Sequence, residues 1–187
     1  MIEVLQNPKT DRYLELKKNI LCNTFPWYWR PKSTVANLEV EGHRNIPHYS
    51  HTLLERPDVR KFSETTSDYL EPYIKVAEEI LEYNGIRSNY FFLRACINCV
   101  HPTSGIPYCI PHVDHYFPHK NLIMYITNSG GNTYVEDEQY FKKYEEYVPE
   151  EDDVVLFSGK HYMQSPKEER RIVIVSTIYQ YIGKLND

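Results

Sequence analysis

The sequence predicts an α+β chain: supporting N-terminal helices, then a double-stranded β-helix (jelly-roll) barrel. Three observations predict it. Helical periodicity is confined to two stretches in the first half, residues 10–21 and 67–84. After Gly85 the pattern changes to short apolar or alternating runs separated by turn residues, which read as successive strands. The strand-rich half also carries His, Asp and Arg at the ends of its runs, so the sheet unit has a ligand-bearing face. Helices followed by a run of strands fit the α+β class. At 187 residues the chain fits one domain with a substantial core. Residues 1–87 read as helical support and variable loops, and 88–180 as the jelly-roll core.

In order, residues 10–21 place Tyr13, Leu16 and Ile20 at helical spacing, with Thr10 or Asp11 able to cap the start. Residues 25–31, Phe-Pro-Trp-Tyr-Trp-Arg-Pro, cannot be a helix interior because of their two prolines. They read as an extended aromatic segment laid on the core. Residues 33–65 are polar and weakly patterned, which suggests a lid or substrate loop. Here His43, His48 and His51 show no ligand-like spacing and read as surface or hydrogen-bonded core histidines. In 67–84, Leu70, Ile74, Ala77 and Leu81 form one stripe with Tyr73 and Ile80 beside it. Pro72 falls in the first turn, and Asn84-Gly85 is a stop. The predicted strands are 90–100, 108–114, 120–127, 133–135, 153–158 and 171–179. In 120–127, Ile123 and Tyr125 take one face and Leu122, Met124 and Ile126 the other. Residues 136–152 are acidic and Tyr-rich and read as a loop or short helix over the barrel mouth.

Composition narrows the function classes. Hydrophobic residues make up 41% and charged residues 25%, as in ordinary globular domains. The net charge of −5 disfavours an open nucleic-acid surface, which needs a basic stripe, but permits a small anion held by one or two buried cations. No apolar run reaches membrane-spanning length, and the N-terminal residues do not read as a secretory leader. The expected location is therefore cytoplasmic. Cys22, Cys96, Cys99 and Cys109 read as reduced thiols. Cys96 and Cys99 are three apart on a predicted strand, so they face opposite sides and cannot share a metal.

Chemistry concentrates in residues 111–137. His112 and Asp114 flank one residue, so on a strand an imidazole and a carboxylate converge from one face. They supply two of the three ligands of a 2-His-1-carboxylate iron site. The triplet alone is a weak signal, and a hydrogen-bonded core pair is the plain alternative. A third candidate is His161, after the apolar run 154–157 and a Ser-Gly turn. Ten residues on, Arg171 opens the last strand. A buried guanidinium needs an anionic partner, and its fork fits a carboxylate. Arg170 or Arg171 can fill this role; Arg171 abuts the strand and shares a face with Val173 and Val175. Tyr108, in phase with His112, reads equally as a pocket wall or a packed strand residue. Thr133 admits a contact with substrate or co-substrate and reads more simply as a plain strand threonine. His101 sits at a turn, and His115 and His119 read as surface or supporting residues.

The order His112-x-Asp114, His161, Arg171 resembles the iron(II)/2-oxoglutarate-dependent dioxygenases, in particular the prolyl-4-hydroxylase-like branch. The run Asn-Leu-Ile-Met-Tyr-Ile-Thr-Asn-Ser-Gly-Gly-Asn-Thr at 121–133 is similar to that family's Tyr-bearing strand and Gly-containing turn, as in small bacterial and phage-encoded members. The resemblance covers about residues 88–180. It implies that His112, Asp114 and His161 bind iron(II), that Arg171 pairs with the far carboxylate of 2-oxoglutarate, and that Tyr125 hydrogen-bonds the same carboxylate. It also implies O₂ as oxidant, admits ascorbate as accessory reductant, and points to hydroxylation with release of succinate. The substrate it implies is a peptidyl or prolyl residue or a small molecule. Two readings of other classes stand beside it: a non-catalytic cupin-like binding or structural module, and a zinc site on the same ligands.

Overall fold

The computed structural model describes residues 1–34, 39–57, 64–86, 90–137 and 143–180. Within them lie two helices, α1 (Asp11–Leu21) and α2 (Leu70–Tyr83). The strands are β1 (Glu3–Leu5), β2 (Tyr28–Arg30), β3 (His43–Arg44), β4 (His48–Glu55), β5 (Glu64–Thr65), β6 (Tyr90–Val100), β7 (Tyr108–Cys109), β8 (Lys120–Tyr125), β9 (Thr133–Glu136), β10 (Tyr144–Tyr147), β11 (Val154–Phe157), β12 (His161–Met163) and β13 (Arg171–Gln180). A large sheet runs β1-β11-β8-β13-β6-β4-β2, with β5 on β4. A three-stranded sheet runs β10-β9-β12, and β3 pairs with β7 in parallel.

Both helices form where the periodicity predicts. The Thr10 side chain accepts from Tyr13 N at 3.3 Å and caps α1, whose Tyr13, Leu16 and Ile20 are buried. On α2 the buried face is Tyr73, Val76, Ala77, Ile80 and Leu81, and Leu70 and Ile74 sit at its margin. The stripe is thus rotated toward Tyr73, whose hydroxyl donates to Ser176 Oγ on β13 at 2.5 Å. Gly85, at φ +74°, closes α2. Ile86 N bonds Leu81 O at 2.9 Å and Gly85 N bonds Glu82 O at 2.9 Å, a paired stop that needs a left-handed residue.

The large sheet is buried on both faces. Leu122, Met124, Ile97, Cys99, Ile172 and Ile174 pack against the helices. The alternate residues Ile123, Tyr125, Val155, Phe157 and Val173 form a second core with Val135 of the small sheet. The faces predicted for residues 120–127 match this division. Cys99 points to the helices and Cys96 to a cavity on the other face, so the two thiols do point apart.

Beyond the short strands β1, β3, β5 and β12, which were not predicted, three longer predictions change. Residues 48–55, inside the predicted lid region, form β4, which pairs with β6. Its cavity-facing positions His48, Ser50 and Thr52 are polar and His51 is satisfied in the core, so the apolar alternation that marks a strand is missing. Residues 144–147 form β10 against β9, where a loop or short helix was expected. The predicted strand 108–114 shortens to β7 plus one bridge at His112. Parts of the two predicted covering segments, 35–38, 58–63 and 138–142, lie outside the described residues.

Candidate active site

A bridge between the segment after β7 and strand β12 brings the first and third candidate ligands into register. His112 and His161 form an isolated antiparallel bridge, each N–H bonding the other's carbonyl at 2.9 Å. Residues opposed this way send their side chains to one face, and the imidazole centroids are 4.7 Å apart. The turn at Ser158-Gly159-Lys160, with Gly159 at φ +95°, carries the chain from β11 in the large sheet to β12 in the small one. The four-residue step from Phe157 to His161 is long enough because it is a change of sheet.

Asp114 completes the cluster. One ligand atom from each of His112, Asp114 and His161 lies within 4.8 Å of the others. His112 Nδ1 is 2.9 Å from Ile110 O, and His161 Nδ1 is 3.2 Å from Gly159 O. These carbonyls fix each ring with its Nδ1 protonated, which leaves Nε2 as the ligand atom. Asp114 divides its two oxygens. Oδ1 accepts from Arg94 Nη1 at 2.6 Å and Arg56 Nη2 at 3.3 Å. Oδ2 lies 3.6 Å from His161 Nε2 and has no hydrogen-bond partner among the described residues. A buried carboxylate oxygen aimed at two imidazole lone pairs calls for a cation, so the donor set fits a divalent metal of the 2-His-1-carboxylate type.

The electrostatics agree. Burial alone would raise the Asp114 carboxyl; Arg94 first, then the two imidazoles and Arg56, outweigh it and hold Asp114 well below the usual carboxylate range. Burial, and the neighbouring His112, push His161 down to about 4 against the pull of Asp114. Ligand atoms on both are therefore deprotonated at neutral pH, as metal binding requires.

A cavity of about 650 Å³ opens on this cluster and reaches Arg171, Thr133 and Met163 on one side and β4 and β2 on the other. Arg171 is 3% exposed and lines the cavity, whereas Arg170 faces solvent. Arg171 Nη2 donates to Thr133 Oγ1 at 3.2 Å and Nη1 contacts Met163 Sδ at 3.3 Å, while Nε has no partner among the described residues. Its guanidinium carbon sits 5.3 Å from the Tyr125 ring centroid. No carboxylate pairs with it among the described residues. Burial lowers its proton affinity, the signature of a cation without a counter-ion. Tyr125 OH bonds Thr133 Oγ1 at 2.8 Å, so Thr133 joins Tyr125 to Arg171. Burial raises the Tyr125 phenol despite Arg171 beside it, so it stays protonated. Gly131, at φ +82°, packs against this end: a Cβ there would lie 2.8 Å from Gln164 O and 3.0 Å from Arg171 Cδ.

Of the predicted site residues, His112, Asp114, His161, Arg171 and Tyr125 come together. Tyr108 does not. At β7 it is Cys109 that faces the cavity, and Tyr108 packs in an aromatic group with His43, Tyr134 and Tyr162. The shortened strand breaks the phase that linked Tyr108 to His112. His115 is buried against Thr177 Oγ1 at 2.8 Å and stacks on Phe117. His101 is exposed, as expected.

Sequence reasoning missed Arg94, Arg56 and His48, and ranked a site role for Thr133 below a plain strand one. Arg94 had a signal: it is the one charge inside the apolar run 90–100. Arg56 follows β4 and carries no such mark.

No protein-family model and no curated protein matches the chain. Solved structures do match in three dimensions. An oxidoreductase of the 2OG-Fe(II) oxygenase family from Burkholderia pseudomallei superposes with a TM-score of 0.67 at 12% identity, over 92% of this chain and 79% of that one. A prolyl hydroxylase from Trichoplax adhaerens, bound to a hypoxia inducible factor peptide fragment, gives 0.58 at 15%, over 96% and 83%. SnoN, a non-heme alpha ketoglutarate dependent epimerase from nogalamycin biosynthesis, gives 0.57 at 10%, over 96% and 77%. At these identities the likeness establishes the fold, and the chain has the fold shared by 2-oxoglutarate/iron(II) oxygenases, a prolyl hydroxylase among them.

Proposed function

We propose that this chain is an iron(II)- and 2-oxoglutarate-dependent oxygenase, built as one domain around a double-stranded β-helix core at residues 88–180. One observation carries the reading: Arg171, buried and without a carboxylate partner among the described residues, opens into the same cavity as the His112–Asp114–His161 cluster. A ligand that bridges a metal and a guanidinium satisfies both, and a dicarboxylate 2-oxo acid is such a ligand.

In this reading His112, Asp114 and His161 hold the iron through Nε2, Oδ2 and Nε2. Arg94 and Arg56 keep Asp114 ionised and occupy Oδ1, so Oδ2 is the oxygen that would hold the metal. Arg171 takes the far carboxylate of 2-oxoglutarate, and Thr133 and Tyr125 orient the guanidinium and add a hydroxyl donor. Val175, Ile123 and Val100 line the cavity between these polar groups and exclude water. When bound, the iron supplies activation of O₂ coupled to decarboxylation of 2-oxoglutarate to succinate and oxidation of a substrate C–H bond. Tyr108 keeps a packing role. Hydroxylation of a prolyl or other peptidyl residue, or of a small molecule, suits the fold equally, since the neighbours named above differ in reaction. Nucleic acid is disfavoured by the acidic balance.

The test is succinate formation from 2-oxoglutarate in air with iron(II) and no further substrate. Slow, iron-dependent turnover is expected, with none from folded Asp114→Ala. A non-catalytic module forms no succinate at all, and a zinc protein forms none while retaining zinc.

A further inference from the structure

The cavity does not end at the metal cluster. Beyond β6 the large sheet continues into β4 and then β2, and the cavity follows it. This end is walled by Arg30 and Lys32 near β2, by His48, Ser50 and Thr52 on β4, and by Arg94 and Asn98 on β6. The register sets Arg30 opposite His48, and Ser50 opposite Asn98. These residues therefore stand on one face, as alternation along each strand requires.

The charge on this wall is one-sided. Arg30, Lys32, Arg56 and Arg94 line it, with Glu55 and Asp114 as the acids. Asp114 is engaged by Arg94 and Arg56, and Glu55 Oε1 accepts from the Arg56 backbone N–H at 3.0 Å. Arg30 and Lys32 have no acidic partner among the described residues. The chain as a whole carries 26 acidic against 21 basic side chains, so composition does not account for this concentration of cations. His48 reports the field: burial, then Arg94 and Arg30, lower its pKa and keep it neutral. Asn98 adds a second unmet demand. Its Oδ1 is buried without a hydrogen-bond partner among the described residues, so it awaits a donor.

We infer that the substrate is a small anion whose carboxylate or phosphate is held by Arg30 and Lys32, with a hydroxyl or amide N–H donating to Asn98. The inference rests on the oxygenase reading for what happens to this molecule, but not for its binding. An uncharged prolyl ring would leave both cations unused. An anion gains charge-assisted hydrogen bonds at the rim and electrostatic guidance into a cleft of this size.

The test is calorimetric titration of metal-free protein at fixed ionic strength. Inorganic pyrophosphate and propane-1,2,3-tricarboxylate are the probes, and glycerol is the uncharged control. Wild type is expected to bind one of the anions saturably, and the one it prefers separates phosphate from carboxylate. Arg30→Gln/Lys32→Gln should weaken that binding at least about ten-fold, the scale of one charge-assisted bond. Its melting temperature should not move, because both side chains are exposed. Lys18→Gln/Lys167→Gln removes the same charge elsewhere on the surface and should bind as wild type. The inference is overturned if neither anion binds wild type, if the Arg30/Lys32 variant binds as tightly, or if the control variant weakens equally. Because no iron is present, loss of succinate formation would sink the oxygenase reading and leave this result standing.

Discussion

At the scale of single residues the site is a set of unmet demands. Asp114 shows one oxygen satisfied by guanidinium and one left bare, and Arg171 shows a buried fork short of an anion. Two substitutions separate these roles. Arg171→Ala should raise the 2-oxoglutarate concentration needed for half-maximal succinate formation by more than ten-fold while iron binding persists; Arg170→Ala should leave it unchanged. If Arg170 carries the effect, the anchor is misassigned. Arg94→Leu should weaken iron(II) about 10–100-fold, the usual cost of removing a partner behind a ligand. An iron titration that cannot distinguish it from wild type would deny Arg94 that role. His112-x-Asp114, His161 and Arg171 could be read from sequence because their order and strand-end placement reinforce one another. Thr133 could be raised but not preferred, since a threonine beginning a strand carries no chemical mark until its neighbours are known. Tyr108 stayed between pocket wall and packed strand residue in the sequence because strand phase does not carry through Ile110-Pro111, where the ladder stops.

At the scale of elements, turns and caps position the ligands. Gly131 lets the 128–132 turn lie against the Arg171 stem, so Gly131→Ala combines a strained φ with a contact to Gln164 O that must give way. It should lower stability by about 1–3 kcal/mol and raise the 2-oxoglutarate requirement together. A thermal melt and a 2-oxoglutarate titration read the two effects separately. The helical layer is held by Asp152, which accepts from Tyr13 OH at 2.6 Å and pairs with Lys9 and Lys17. Burial would raise this carboxyl; Lys17, Tyr13 and Lys9 together lower it. A carboxyl depressed on folding adds stability that is complete above its ordinary pKa of about 3.8 and lost as pH falls below it. Asp152→Asn, which tolerates the φ of +71°, should cost about 1–2 kcal/mol at neutral pH. The gap to wild type should close below about pH 3.8; a gap that stayed constant with pH would refute the charge-based account. Helices α1 and α2 were legible because apolar residues recur at helical spacing against a polar exterior. Strand β4 was not, because it faces a polar cavity on one side and buries a hydrogen-bonded His51 on the other.

At the scale of the whole molecule, an acidic protein encloses a basic cavity. The net charge of −5 described the surface and concealed the lining, so composition could argue against nucleic acid yet say nothing of a small anion. What sequence reached was the two helices, the strand-rich second half and the three residues His112, Asp114 and His161 that stand together; what it did not reach was the pairing of β4 with β6 and of β2 with β4, which builds the far wall. Long-range pairing of polar strands leaves little trace in local pattern. The central claim is that one cavity holds a metal on His112, Asp114 and His161 and a 2-oxo acid between that metal and Arg171. The most direct measurement is anaerobic titration of iron(II)-loaded protein with 2-oxoglutarate, followed by visible absorption. A weak charge-transfer band should grow to saturation in wild type and be absent from Asp114→Ala under identical conditions. No band in wild type of verified iron content, or an undiminished band in iron-loaded Asp114→Ala, would contradict it.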